Sequence, residues 1–137
     1  MIEEMGIFYT TVIVEHPARP GTRAEVRDVM IDTGSEYTWL PRSVLESIGL
    51  APVRVVRFAT ADGREIAREV CFANLYVDDA SAPEIVVFAE PGDMQLLGAH
   101  TMEGFNLRID VVHKRLVPAG PVPVAVSQMA TDMALAI

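Results

Sequence analysis

The chain has 137 residues, half of them hydrophobic and 22% charged, which fits one domain with its own core and excludes a disordered segment. A net charge of −8 with no cluster of Lys and Arg excludes a default affinity for nucleic acid or anionic membrane, leaving protein, peptide or a second copy of the chain as expected partners. Cys71 is the only cysteine, which excludes a disulfide framework and a cysteine-based metal site and makes a buried free thiol in a reducing interior the simpler expectation.

Along the chain, Glu3 and Glu4 stand where a signal peptide would carry positive charge, and no apolar run approaches the roughly 20 residues of a membrane span. A soluble, cytoplasmic protein is expected. Gly6 to Val14 is rich in β-branched and aromatic residues. From Thr22 to Ile31, Ala24, Val26 and Asp28 alternate with charged positions, the period of a half-buried strand. His16 to Gly21 reads as the turn between these two paired strands. Tyr37 to Leu40 is a short apolar strand; Pro41 then starts a helix of about two turns that Gly49 ends, with Val44, Leu45 and Ile48 on one face. Val53 to Ala59 and Glu65 to Val77 flank Ala61-Asp62-Gly63, and Asp-Gly between two extended runs signals a hairpin. Glu84 to Ala89 supplies another strand. Leu96-Leu97-Gly98 leads into a short helix near Ala99 to Glu103, followed by strands at Phe105 to Val111 and Arg115 to Val117 around a turn at His113-Lys114. Pro118, Pro121 and Pro123 argue against a central strand beyond that point, and the Ala- and Met-rich stretch from Val124 to Ile137 reads equally as a packed helix or a frayed end.

The chemistry concentrates at Val29-Met30-Ile31-Asp32-Thr33-Gly34-Ser35. An acid follows an apolar strand directly, so its carboxylate emerges at the strand end from a low-dielectric floor. Gly34 permits a sharp turn and the close approach of a partner, and Thr33 and Ser35 offer hydroxyls. Taken alone, Asp-Thr-Gly is also an ordinary strand-ending turn. Other candidates are weaker still. His16, His100 and His113 show no metal-ligand spacing and read as turn or surface histidines, Ser35 and Ser43 lack a nucleophile-elbow setting, and Cys71 sits mid-strand. Asp78-Asp79 reads as a solvated edge, and Trp39 and the seven Met residues as core or interface.

The order of apolar strand, Asp32-Thr33-Gly34-Ser35, short strand, helix, hairpin with an Asp-Gly tip, Gln95-Leu96-Leu97-Gly98, short helix and strand pair resembles the retropepsin-like aspartic proteases over residues 6–118. The resemblance implies an all-β fold, a retropepsin-like acid protease half-barrel with one or two short helices, completed as a C2 homodimer. It divides the chain into a protease domain at 1–118 and a tail at 119–137. It further implies that Asp32 is the catalytic carboxylate, that Thr33 hydrogen-bonds across the dimer, that Gly34 allows the two loops to approach, and that Ser35 orients the outer oxygen of Asp32. Leu97 and Gly98 would support the strand carrying Asp32. Ala59, Thr60, Ala61, Asp62 and Gly63 would lie in a flap over the substrate, although this tip departs from the glycine-rich tips of the retroviral branch.

The chain carries a single Asp-Thr-Gly, whereas aspartic proteolysis needs two carboxylates sharing a proton, so a two-fold homodimer is the economical way to supply both. The function implied is an aspartic endopeptidase that hydrolyses peptide bonds of an extended polypeptide with water as nucleophile, without metal or cofactor. The alternative is a non-catalytic dimeric peptide-binding or scaffolding module on the same fold.

Overall fold

The first hairpin sets the orientation of everything that follows. In the computed structural model, which describes residues 7–125, β1 (Phe8–Glu15) and β2 (Arg23–Asp32) pair antiparallel across the turn expected at His16 to Gly21. The pairing is not continuous. Thr10 faces Val29 but Val12 faces Val26, so β2 carries one more residue than β1 in this interval. The extra residue lies at the bulge around Asp28, whose φ of 57° is left-handed. This corrects the sequence reading, in which Ala24, Val26 and Asp28 share one face. After the bulge the alternation changes phase: Val26, Val29 and Ile31 are in the core, and Asp28 is exposed. An unbroken strand would keep Asp32 in phase with Val26 and turn it inward. With the bulge, Ile31 faces the core and Asp32 leaves from the opposite face.

Strand β3 (Thr38–Pro41) runs directly into helix α1 (Arg42–Ser47). Pro41 forms the N-terminal boundary with extended backbone, and the helix ends where Gly49 adopts φ 82°. The Gly49 N–H then bonds to the Glu46 carbonyl and the Leu50 N–H to the Leu45 carbonyl, at 2.9 and 3.0 Å, which satisfies two carbonyls of the last turn. Leu45, Ile48 and Leu50 enter the core, with Val44 packed against it.

A long hairpin follows, β4 (Arg54–Ala59) with β5 (Glu65–Val77), and β5 turns through Asp78-Asp79 into β6 (Ala80–Ala89). The sequence reading started β6 at Glu84; the structure starts it four residues earlier, with Pro83 exposed opposite Asn74. Asp78 takes φ 51°, as a two-residue hairpin turn requires, so the acidic pair is a turn as well as a solvated edge. Strand β7 (Leu96–Gly98), helix α2 (Ala99–Phe105) and the separate hairpin β8 (Leu107–Asp110) with β9 (Arg115–Pro118) complete the described elements.

The large sheet has the order β1-β2-β7-β3-β6-β5-β4, and Ile13, Val14 and Glu15 of β1 also pair with Tyr76, Leu75 and Asn74 of β5. That second pairing closes a barrel within one chain and leaves β4 as an edge strand beyond the closure. Each face of β6 has its own core. Ala82, Val86 and Phe88 point into the barrel with Val12, Leu40, Leu75 and Leu97, while Val87 and Ala89 pack with Trp39 and Val70 beneath the β4–β5 hairpin. Trp39 is therefore core, and Cys71 is buried as a free thiol with its pKa pushed up to about 11 by burial. No helix among the described residues is long and apolar enough to cross a membrane.

Of the tail, residues 119–125 carry no regular element. Ala119 and Gly120 are tied to Asn106 by hydrogen bonds of 2.9 and 2.8 Å. The helix or frayed end expected toward Ile137 lies outside the described residues from residue 126 onward, and Glu3 and Glu4 lie outside them at the other end.

Candidate active site

Asp32 is the last residue of β2, and its backbone pairs in parallel register with Gly98 of β7. Chain direction reverses at once beyond it. The Ser35 N–H donates to the Asp32 carbonyl at 3.1 Å, and the Gly34 N–H donates to the Asp32 carboxylate oxygen Oδ1 at 2.9 Å. The carboxylate is thus folded back over its own turn. A Cβ on Gly34 would stand 3.1 Å from that oxygen, so a larger residue would push it aside. Asp32 is half-buried; Thr33 and Gly34 are exposed.

The Ser35 hydroxyl donates to the Tyr37 carbonyl at 3.0 Å rather than to Asp32. In the single chain it braces the far limb of the turn instead of orienting the carboxylate, which differs from the role expected of it. Thr33 borders an open hollow of about 310 Å³ shared with Ala99, Met102, Glu103, Leu107, Arg108 and Ile109.

Leu97 and Gly98, expected to support the strand carrying Asp32, lie in β7 beside the end of that strand. Leu97 is fully buried beside Ile31. Gly98 has no room for a side chain, since a Cβ would meet the Tyr37 carbonyl oxygen at 2.4 Å and that of Glu36 at 2.8 Å. The next two amides close the contact: Ala99 N–H donates to the Ser35 carbonyl at 2.7 Å and His100 N–H to the Glu36 carbonyl at 3.0 Å.

Ala59 to Gly63 sit at the tip of the β4–β5 hairpin, all exposed except the half-buried Thr60. The tip is held by polar bonds rather than by glycines alone. Thr60 and Arg64 exchange backbone and hydroxyl hydrogen bonds of 2.7 to 3.1 Å, Asp62 accepts from Thr60 and from Arg64 Nε, and only Gly63 needs a positive φ, 86°. The hydrogen bond from Thr60, foremost, and that from Arg64 hold the Asp62 carboxyl below its ordinary pKa. The hairpin reaches back to the Asp32 turn through aromatic contacts. Phe58 meets Tyr37 edge-on at 6.0 Å and Trp39 at 4.9 Å between ring centroids.

Two features of the site escaped the sequence reading. Gln95 bonds with its side-chain amide to the carbonyls of Arg27 and Asp28, and with its own carbonyl to the Met30 N–H, thereby stapling the bulge that sets the phase of Asp32. Glu84 is buried behind α2, where it accepts from Thr101 and His100. Parity carried a signal for the second: Glu84 falls in step with Ala82, Val86 and Phe88 on an apolar strand, which marks it as inward-facing. His100, expected as a surface histidine, is half-exposed yet bonded to that carboxylate, which raises its pKa.

No curated protein matches the chain. Among solved structures it is similar to the solution structure of simian foamy virus (mac) protease, with 20% identity over 69% of this chain and 91% of that one and a TM-score of 0.47. The family model described as aspartyl protease matches residues 21–101, more than half of the chain, from the turn before β2 through the Asp32 loop and the β4–β5 hairpin into α2. The chain belongs to the aspartyl protease family and is an aspartic-type endopeptidase.

Proposed function

We propose that catalysis uses two Asp32 carboxylates, one from each of two copies of the chain related by a two-fold axis. The observation that carries this reading is the exposed Asp32-Thr33-Gly34 turn, the single such motif in the chain, lying open at a strand end. Two carboxylates a few ångströms apart cannot both be charged, so the pair holds one proton between them. The ionised member takes a proton from water as the water oxygen adds to the peptide carbonyl carbon. The protonated member gives its proton to the carbonyl oxygen. Collapse of the resulting diol breaks the C–N bond: one carboxyl gives its proton to the leaving nitrogen while the other carboxylate takes a proton from a diol hydroxyl, so the carboxylic acid product forms and the pair again holds one proton.

In this reading Thr33 and Gly34 meet their counterparts across the axis, and the hollow beside Thr33 is covered by the second copy. The β4–β5 hairpin lies over the substrate with Ala59 to Gly63 at its tip. An extended peptide is the fitting ligand, because β4 is an edge strand whose free backbone groups can take up one more strand.

The test is a mass-spectrometric cleavage profile of a complex peptide library over a range of pH, with Asp32→Asn run in parallel. Cleavage at defined subsites that vanishes in the variant, with its circular dichroism unchanged, is expected. Equal cleavage by the variant would assign the chemistry to another residue.

A further inference from the structure

Behind the Asp32 turn runs a buried line of hydrogen bonds with a fixed direction. The Gly98 N–H donates to Thr38 Oγ1 at 3.0 Å, Thr38 Oγ1 and Thr101 Oγ1 are 2.6 Å apart, and Thr101 Oγ1 donates to Glu84 Oε1 at 3.2 Å. Thr38 and Thr101 are fully buried and Glu84 nearly so. The geometry between the two threonines leaves the donor open, but the ends of the line settle it. A carboxylate can only accept, so Thr101 spends its proton on Glu84 and its oxygen receives that of Thr38; the Thr38 oxygen then receives the Gly98 N–H. Every proton points toward Glu84. His100 Nδ1, 2.9 Å from Glu84 Oε1, donates to the same oxygen from the solvent side. The fit around the carboxylate is close, since a Cβ on Gly104 would lie 2.6 Å from Glu84 Oε2.

This line ends at the residue that grips the turn. Gly98 is the register partner of Asp32, it abuts the Tyr37 carbonyl, and the two following amides bind the carbonyls of Ser35 and Glu36. Gly98, Ala99 and His100 therefore touch both limbs of the Asp32 loop, and Thr38, Thr101 and Glu84 fasten them to β3, α2 and β6. From this geometry we infer that Glu84 is a positioning residue for catalysis, acting through Thr101 and Thr38 on Gly98 to fix the Asp32 turn. The inference rests on Asp32 as the catalytic carboxylate. Glu84 touches neither Asp32 nor the space above it. Its effect is on the precision of the turn, where a displacement of about one ångström can cost on the order of a hundredfold in rate.

Thr101→Val, which keeps the shape and removes the hydroxyl, tests it, with Thr101→Ser as the restoring variant and Glu84→Gln as a second way to weaken the same line. Two readouts are taken on the full chain: amide hydrogen exchange, and cleavage of a peptide substrate normalised to active sites titrated with a hydroxyl-containing transition-state analogue. In Thr101→Val, exchange at Gly98, Gly34 and Ser35 is expected to quicken about tenfold while β1 amides are unchanged. The kcat per titrated site falls by about tenfold with KM within about twofold, the scale of one buried hydrogen bond left unmade. Thr101→Ser restores both. Unchanged kcat per titrated site together with unchanged or uniformly faster exchange would overturn the inference. Should Thr101→Val not fold, Glu84→Gln is held to the same two criteria. If the wild-type chain cleaves no peptide, the catalytic reading of Asp32 fails, and the exchange comparison still decides whether the line fixes the turn.

Discussion

Gly98 shows how much a single missing methyl group can decide. Its backbone lies against the Tyr37 carbonyl oxygen, and an added Cβ would stand 2.4 Å from that atom, far inside van der Waals contact. No flexible side chain can yield there, because the obstructing atoms are backbone on the loop that carries the carboxylate. Gly98→Ala is expected to destabilise the fold by about 1–3 kcal/mol, the range for overpacking a filled site, and to lose most of its activity, read by thermal melting and peptide cleavage. A variant as stable and as active as wild type would show that the loop has slack. Gly63, by contrast, has a positive φ and open space around it; it serves the turn and not a close approach.

At the scale of elements, the barrel closes where β1 meets β5, and Glu15 is the side chain at the seam. Although nearly buried, it accepts from the Tyr76 hydroxyl, from Arg23 Nε at 2.8 Å and from the Gly21 N–H at 2.9 Å. Those bonds, that from Tyr76 foremost, hold its pKa at about 2 against an ordinary 4.5. A depressed carboxyl stabilises the fold fully above its unfolded pKa and loses that contribution as pH falls through the folded value. The stability difference between wild type and Glu15→Gln in chemical denaturation should therefore be constant above about pH 5 and shrink as pH falls toward about 2. A difference independent of pH across that window would mean that the seam does not depend on the charge.

Elements were also where the sequence was most readable and where it misled. Alternating apolar residues, an Asp-Gly tip and a Pro-to-Gly helix located the first hairpin, the β4–β5 hairpin and α1, because those signals are local. The bulge at Asp28 was not legible, since alternation alone ran through it unbroken, and the staple that holds it comes from Gln95, 67 residues away. The order of motifs pointed to Asp32 and Gly98 without that detail. The line from Gly98 to Glu84 joins three stretches of chain, at Thr38, at Glu84 and at Gly98 to Thr101, and only the fold brings them together.

For the whole molecule, the barrel closes within one chain and leaves Thr33 and Gly34 of the Asp32 turn exposed, and the proposed chemistry requires a second copy. Analytical centrifugation should show a dimer populated at concentrations where peptide is cleaved, stabilised by a peptide-like inhibitor that spans both halves of the site. The most direct test of the shared site is a mixing experiment. Wild-type chain at fixed concentration is co-refolded with increasing Asp32→Asn chain, and cleavage is measured per wild-type chain. If each site needs Asp32 from both copies, mixed pairs are inactive and activity per wild-type chain falls in proportion to the wild-type fraction. Activity per wild-type chain that stays constant as the variant is added would contradict the account, because one Asp32 would then suffice.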